Sequence, residues 1–178
     1  EDRTVIGNPW PDYTGGMTNT LSWKGFDLSV FLQFSAGNDI FNGNRIYQDA
    51  FGYGYFDNAS IRALDRWTPE NTDTDQPRAS YSDPNNNART SSRFVEDGSY
   101  LRLKNVVFGY ALPESLSSRL GFRNLRLYVQ GQNLLTFTSY SGFDPEVNYA
   151  GNTAVVRGTD FYTMPQARSY TLGVSIGL

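Results

Sequence analysis

The residues that could do chemistry here are few, and none is spaced for a reaction. The chain has no Cys and no His among its 178 residues. That removes thiol nucleophiles, disulfides, imidazole bases and the usual zinc ligand sets together. Asp144 and Glu146 flank Pro145, and two carboxylates are what glycoside hydrolysis requires. Pairs this close in sequence are common in loops, Pro145 makes a turn, and no motif sets an acid against a base. No catalytic residue is expected, and the chain is not read as an enzyme. Asn71-Thr72-Asp73-Thr74-Asp75 alternates oxygen ligands as the start of a calcium loop does. Gln76-Pro77 follows, without the glycine turn or the distal Glu. The stretch reads as a solvated polar loop, so neither a metal nor a cofactor is expected. The formal net charge is −3 with no basic cluster, which favours no nucleic acid.

Two aromatic groupings remain. Phe51, Tyr53, Tyr55 and Phe56 are interleaved with Gly52 and Gly54. Such rings can stack on sugars, with the Tyr hydroxyl as a polar handle, which makes them substrate-contact candidates. They can equally pack their loop onto a neighbour, and packing is the preferred reading. Ile61, Leu64 and Trp67 recur at i, i+3 and i+6 before Pro69, which predicts a short loop helix docked by that face.

The elements that position these groups are strands. Phe26, Leu28, Val30, Leu32 and Phe34 form one apolar face, while Asp27, Ser29 and Gln33 lie opposite with Phe31 among them. Nine residues approach the ~9–11 of a tilted membrane-spanning strand. Met17 to Trp23 reads as the hairpin partner across a tight Lys24-Gly25 turn. Trp23 and Phe26 flank that turn, where an interfacial aromatic belt sits. At the far end Tyr170, Leu172, Val174, Ile176 and Leu178 alternate with Ser169, Thr171, Gly173, Ser175 and Gly177. Two more strands are predicted at Asn124 to Phe137 and Tyr100 to Leu112. In the latter, Arg102 and Lys104 share the parity of Val106, Phe108 and Tyr110. Either those two lie above the hydrocarbon or a bulge switches the face; the sequence leaves both open.

Mean hydropathy is −0.49, and no apolar run approaches the ~20 residues of a spanning helix. A membrane barrel tolerates a negative value because only alternate strand residues face lipid. The connections alternate between short (Lys24-Gly25; Pro113 to Phe122, with a helical turn at Glu114-Ser115-Leu116-Ser117) and long (about Ala36 to Arg93; about Ser141 to Gln166). Short turns on one rim and long loops on the other are the habit of outer-membrane barrels. Counting back from a C-terminus at the periplasmic rim puts both long loops outside the cell.

Several strings carry a family resemblance. Ile6-Gly7-Asn8-Pro9, Gly37-Asn38-Asp39-Ile40-Phe41-Asn42, Arg66-Trp67-Thr68-Pro69-Glu70-Asn71, Asp97-Gly98-Ser99-Tyr100-Leu101-Arg102-Leu103-Lys104-Asn105-Val106, Gln132-Asn133-Leu134 and Pro165-Gln166-Ala167-Arg168-Ser169-Tyr170-Thr171-Leu172-Gly173-Val174 occur in order over nearly the whole chain. The chain resembles the C-terminal part of SusC/RagA-type TonB-linked outer-membrane proteins. The resemblance implies an all-β fragment, 1–178, supplying about five C-terminal antiparallel transmembrane strands of a barrel of roughly 22. Plug and N-terminal strands are then absent; the opening Glu1-Asp2-Arg3-Thr4, without a signal peptide, agrees with a fragment.

The implied partners are a SusD-like lipoprotein that lids the barrel, the parent's remaining strands and plug, TonB through an absent N-terminal segment, the barrel-assembly machinery and outer-membrane lipid. The implied function is import of glycans or peptides. The alternative is a SusC-like scaffolding subunit of a larger outer-membrane assembly, and a reading from another class is a soluble carbohydrate-binding sandwich. Thr171, Gly173, Ile176 and Leu178 resemble the terminal signal by which outer-membrane barrels are recognised for insertion, departing from it by ending in Leu rather than an aromatic.

Overall fold

The computed structural model describes residues 3–49, 51, 58–149, 151 and 156–177. In chain order the strands are β1 (Tyr13–Trp23), β2 (Phe26–Ala36), β3 (Asp39–Asn42), β4 (Val95–Asp97), β5 (Tyr100–Ala111), β6 (Asn124–Thr138), β7 (Thr159–Asp160) and β8 (Ser169–Gly177). Helix α1 (Asn44–Gln48) and a 3-10 turn at Ile61–Asp65 follow β3, and α2 (Glu114–Ser117) follows β5. The chain divides into two units. One comprises Pro11–Gly37, Ser99–Ser139 and Pro165–Leu178; the other takes in Asn38–Gly98 and Tyr140–Met164 with the N-terminal stretch.

The first unit is an antiparallel five-stranded sheet in the order β1-β2-β5-β6-β8, open at both edges. Its strands are those the alternation predicts, with β1 beginning earlier, at Tyr13. Lys24 and Gly25 both take left-handed φ, 47° and 87°. That is the turn geometry whose twist matches a two-residue hairpin, and it sets pairing from Trp23↔Phe26 out to Tyr13↔Ala36. The helical turn after β5 is where the sequence puts it, at Glu114–Ser117.

A bulge settles Arg102 and Lys104. Phe31 pairs with Asn105 and Leu32 with Leu103, so Lys104 has no opposite residue in β2. On its other side Leu103 pairs with Leu135 and Asn105 with Gln132, which leaves Asn133 and Leu134 against the single Lys104. Asn133 takes φ 52° to make the extra residue fit. The side-chain parity of β5 therefore inverts at Lys104. Arg102 falls opposite Gln33 and Thr136, away from the apolar row it interrupts when the strand is read as regular.

The second unit replaces what reads as irregular loop. It holds a small sheet in the order β4-β3-β7, with β3 antiparallel to β4 and parallel to β7. Its core is built on Ile40 and Phe94, each 1% exposed, with Tyr140 buried as well. One expectation fails here. Ile61 and Leu64 lie in a five-residue 3-10 turn with no buried residue and are 82% and 81% exposed. Trp67 falls beyond its end. Three residues per turn put Ile61 and Leu64 on one face, but the segment ends before Trp67 and that face meets no neighbour, so it is not docked.

Candidate functional site

Residues directly opposite in an antiparallel sheet share a face, so the register sorts every side chain of the five-stranded sheet. One face carries the rows Trp23–Phe26–Tyr110–Leu127–Val174 and Leu21–Leu28–Phe108–Val129–Leu172. Beyond the bulge the same face continues as Met17–Leu32–Leu103–Leu135, then Phe34–Leu101–Phe137. Between these two pairs of rows runs Asn19–Val30–Val106–Gly131–Tyr170, where only Asn19 is strongly polar. Aromatic contacts knit the end near the turn, with Phe26 4.4 Å from Tyr110 and 5.8 Å from Phe108 between centroids. These side chains are not covered: Trp23 is 68% exposed and Leu172 87%. An apolar surface of this extent is foreign to a water-facing wall.

The opposite face is polar. Its rows include Thr20–Ser29–Val107–Gln130–Thr171 and Ser22–Asp27–Gly109–Tyr128–Gly173. Arg126 spans strands to Asp27, donating from Nε at 2.9 Å and from Nη2 at 2.5 Å. Gln130 donates to Asn105 at 2.7 Å, and Gln33 to the Tyr100 hydroxyl at 3.2 Å. Gly109 and Gly173 make room for this layer. A Cβ on the first would strike the Arg126 guanidinium, and one on the second the Tyr128 ring.

The residues of the expected terminal signal divide between the faces. Thr171 stands opposite Gln130 and Gly173 opposite Tyr128, whereas Ile176 pairs with Leu125 in the apolar parity. Leu178 lies outside the described residues. Of the aromatic quartet in the long loop, Phe51 is buried at φ 50°, while Tyr53, Tyr55 and Phe56 lie outside the described residues. Asp144 is buried and its Oδ1 accepts from the Glu146 backbone N–H at 2.8 Å, which closes the turn around Pro145. Asn71 and Thr74 both donate to Asp65, so the Asn71–Asp75 stretch folds onto that residue. Among the described residues no cluster of acidic side chains has the makings of a metal site.

Sequence reasoning missed the polar centre of the second unit. Arg45 donates to Asp49 at 2.9 Å and to Glu96 at 3.0 Å, and Ser60 donates to Asp49 at 2.5 Å. Glu96 also accepts from the backbone N–H and the hydroxyl of Ser141, both at 2.8 Å. Burial alone raises the Glu96 carboxyl pKa, but the Ser141 and Arg45 hydrogen bonds outweigh it and hold the group below its ordinary value. Burial likewise works against charge on Arg45, yet its two carboxylate partners keep it above its usual value. Burial and then the hydrogen bond it donates to Asp160 at 2.6 Å push the Tyr140 hydroxyl well up. The only advance signal was the strings Gly37 to Asn42 and Asp97 to Val106, which border these strands.

The same unit contains a cavity of about 490 Å³ lined by Trp67, Asp75, Gln76, Arg78, Asn85 and Arg93 among others. Trp67 entered the sequence reading as a packing residue, Arg93 only as the end of a long connection, and Arg78 not at all. They converge from positions up to 26 apart, which no local pattern displays.

An open antiparallel sheet with one exposed apolar face and one hydrogen-bonded polar face belongs to the class of sheets that wall a membrane β-barrel. Comparison with known proteins supplies the family. The chain is 43% identical over 98% of its length to TonB-dependent receptor P3 of Formosa agariphila, and 35% identical over 99% to TonB-dependent receptor P26 of the same organism. It is 24% identical over 98% of its length to TonB-dependent receptor SusC of Bacteroides thetaiotaomicron. The RagAB peptide importer in its closed-closed state superposes with a TM-score of 0.80 over 97% of the chain at 30% identity. In its open-open state the values are 0.79, 94% and 31%. No family profile matches. The chain is thus a SusC/RagA-type TonB-dependent receptor relative, and its relatives are receptors and importers rather than enzymes. It spans only 16 to 18% of the length of each of these proteins.

Proposed function

We propose that this chain is the C-terminal wall of an outer-membrane importer that takes up an oligosaccharide or a peptide. In this reading the five strands belong to a barrel of roughly 22 with a plugged lumen. The apolar face meets lipid, the polar face lines the lumen, and the two long connections lie outside the cell. TonB energy enters through the plug end of the parent, and a SusD-like lipoprotein lids the barrel. The carrying observation is the exposed apolar face, continuous across all five strands from Trp23 to Leu172. The polar face supports a lumenal role, since Asp27, Arg126, Gln130 and Asn105 satisfy one another across strands and present water with a hydrogen-bonding surface.

The test is solubility. The isolated chain is expected to aggregate in plain buffer and to need detergent, because its apolar wall and two sheet edges are all unpaired. A monodisperse, folded monomer without detergent would refute the wall reading. Deleting the parent gene should abolish uptake of one nutrient class; unchanged growth on every oligosaccharide and peptide tried would move the parent to the scaffolding role.

A further inference from the structure

We propose that the cavity of the loop unit binds an acidic sugar, holding its carboxylate or sulfate on Arg78 and Arg93 and stacking the ring on Trp67. The proposal rests on the importer reading and adds a substrate class and a residue-level site to it. A volume of about 490 Å³ falls within the ~300–1,000 Å³ typical of small-ligand sites.

The charges decide the ligand's sign. Two arginines elsewhere are paired, Arg45 with Asp49 and Glu96, and Arg126 with Asp27. Among the described residues Arg78, which is exposed, makes no hydrogen bond or ion pair, and Arg93 forms no ion pair. Arg93 is nonetheless held in place. Its Nη2 donates to Gln76 Oε1 at 3.1 Å, and its guanidinium lies 5.6 Å from the centre of the Phe94 ring. Gln76 is itself buried and donates to Asp75 at 2.6 Å. Among the described lining residues Asp75 is the one carboxylate against two guanidiniums, so the cavity carries a surplus positive charge. Arginine's planar fork matches a carboxylate or sulfate with two parallel bonds.

The rest of the lining chooses a sugar over a peptide. Trp67 is 37% exposed, a surface on which a pyranose ring stacks. Asn85 and Asn87 add amides able to both donate and accept, as a ring of hydroxyls needs. Pro77 and Pro84 complete the apolar lining as short, rigid rings, and among the described residues no Leu, Ile, Val, Met or Phe lines the cavity to receive a large apolar peptide side chain.

The experiment uses the full-length parent in detergent and measures binding by calorimetry, independently of uptake. Probes are trigalacturonate, a sulfated galactose trisaccharide, maltotriose and tri-aspartate. One or both acidic sugars should bind at least ten-fold more tightly than maltotriose and tri-aspartate. Arg78→Gln and Trp67→Ala should each weaken that binding about ten-fold. Arg78 has no partner among the described residues, so its variant should keep the wild-type unfolding temperature. Equal binding of maltotriose, equal binding of tri-aspartate, or unchanged affinity in Arg78→Gln each overturns the proposal. A parent that imports nutrients normally with this cavity mutated refutes only the inference. A parent that imports nothing refutes the function itself.

Discussion

Val30 and Ser29 are neighbours in β2 that point to opposite sides of the sheet. Val30 shares its row with Val106 and Tyr170, while Ser29 shares its own with Thr20, Gln130 and Thr171. Arginine at Val30 should destabilise the folded parent by about 2–4 kcal/mol near the bilayer midplane, whereas arginine at Ser29 should be tolerated in the lumen. Unfolding of the two variants in lipid vesicles measures the difference, and equal effects would show the faces reversed. Glu96 makes a second residue-scale prediction. Its folded pKa is depressed below the ordinary 4.5, so its contribution is complete above the unfolded value and is lost as pH falls through the folded one. Amide protection factors at Ser141 and around Val95–Asp97 should therefore drop below about pH 4.5. Glu96→Gln should lower them at neutral pH and flatten that dependence. Protection independent of pH in the wild type would contradict the network.

At the scale of elements, β6 and β8 show packing overriding propensity. Valine favours a strand more than glycine does, so Gly173→Val in β8 ought to stabilise an isolated edge strand. The Tyr128 ring occupies the place of its Cβ, and overpacking of this kind costs about 1–3 kcal/mol. Gly173→Val should lower the parent's heat stability, read as the temperature at which its gel mobility shifts, and Tyr128→Ala should restore it. A stable single variant would mean that the ring moves aside freely. The bulge at Lys104 is the other element-scale device. One extra residue in β5 and two in β6 keep Leu101 and Leu103 on the apolar side and carry Arg102 to the other. Without it the alternation would place a guanidinium on the apolar face.

For the molecule as a whole, the open edges at β1 and β8 are what must change. A barrel in lipid cannot leave backbone groups unpaired, so in the proposed parent the terminal strand pairs with the first. Until then it is an edge that an assembly machine can capture by strand addition. Deleting Ser175 to Leu178 from the parent should block insertion rather than transport, leaving little protein at the surface. Leu178→Phe should be neutral or mildly favourable. Surface labelling measured separately from uptake checks this. Normal surface levels with uptake alone lost would assign the terminus to the lumen.

What the sequence determined by itself is the wall. Alternation with a period of two is local, so Phe26 to Phe34 and Tyr170 to Ile176 display their faces without reference to any neighbour, and Lys24-Gly25 specifies its own turn. The family resemblance was legible for the same reason, being carried by contiguous strings such as Asp97 to Val106. Tertiary structure decided everything that depends on a distant partner. The side on which Arg102 lies is set by an extra residue whose existence is defined only against β2 and β6. The loop sheet joins Phe41 to Val95 and to Thr159, pairings that no window along the chain contains. Ile61 and Leu64 looked like a buried stripe because spacing records periodicity and not whether a surface exists to receive it. The cavity came last: Trp67, Arg78 and Arg93 are unremarkable one by one, and only the folded loop brings them together around one cavity.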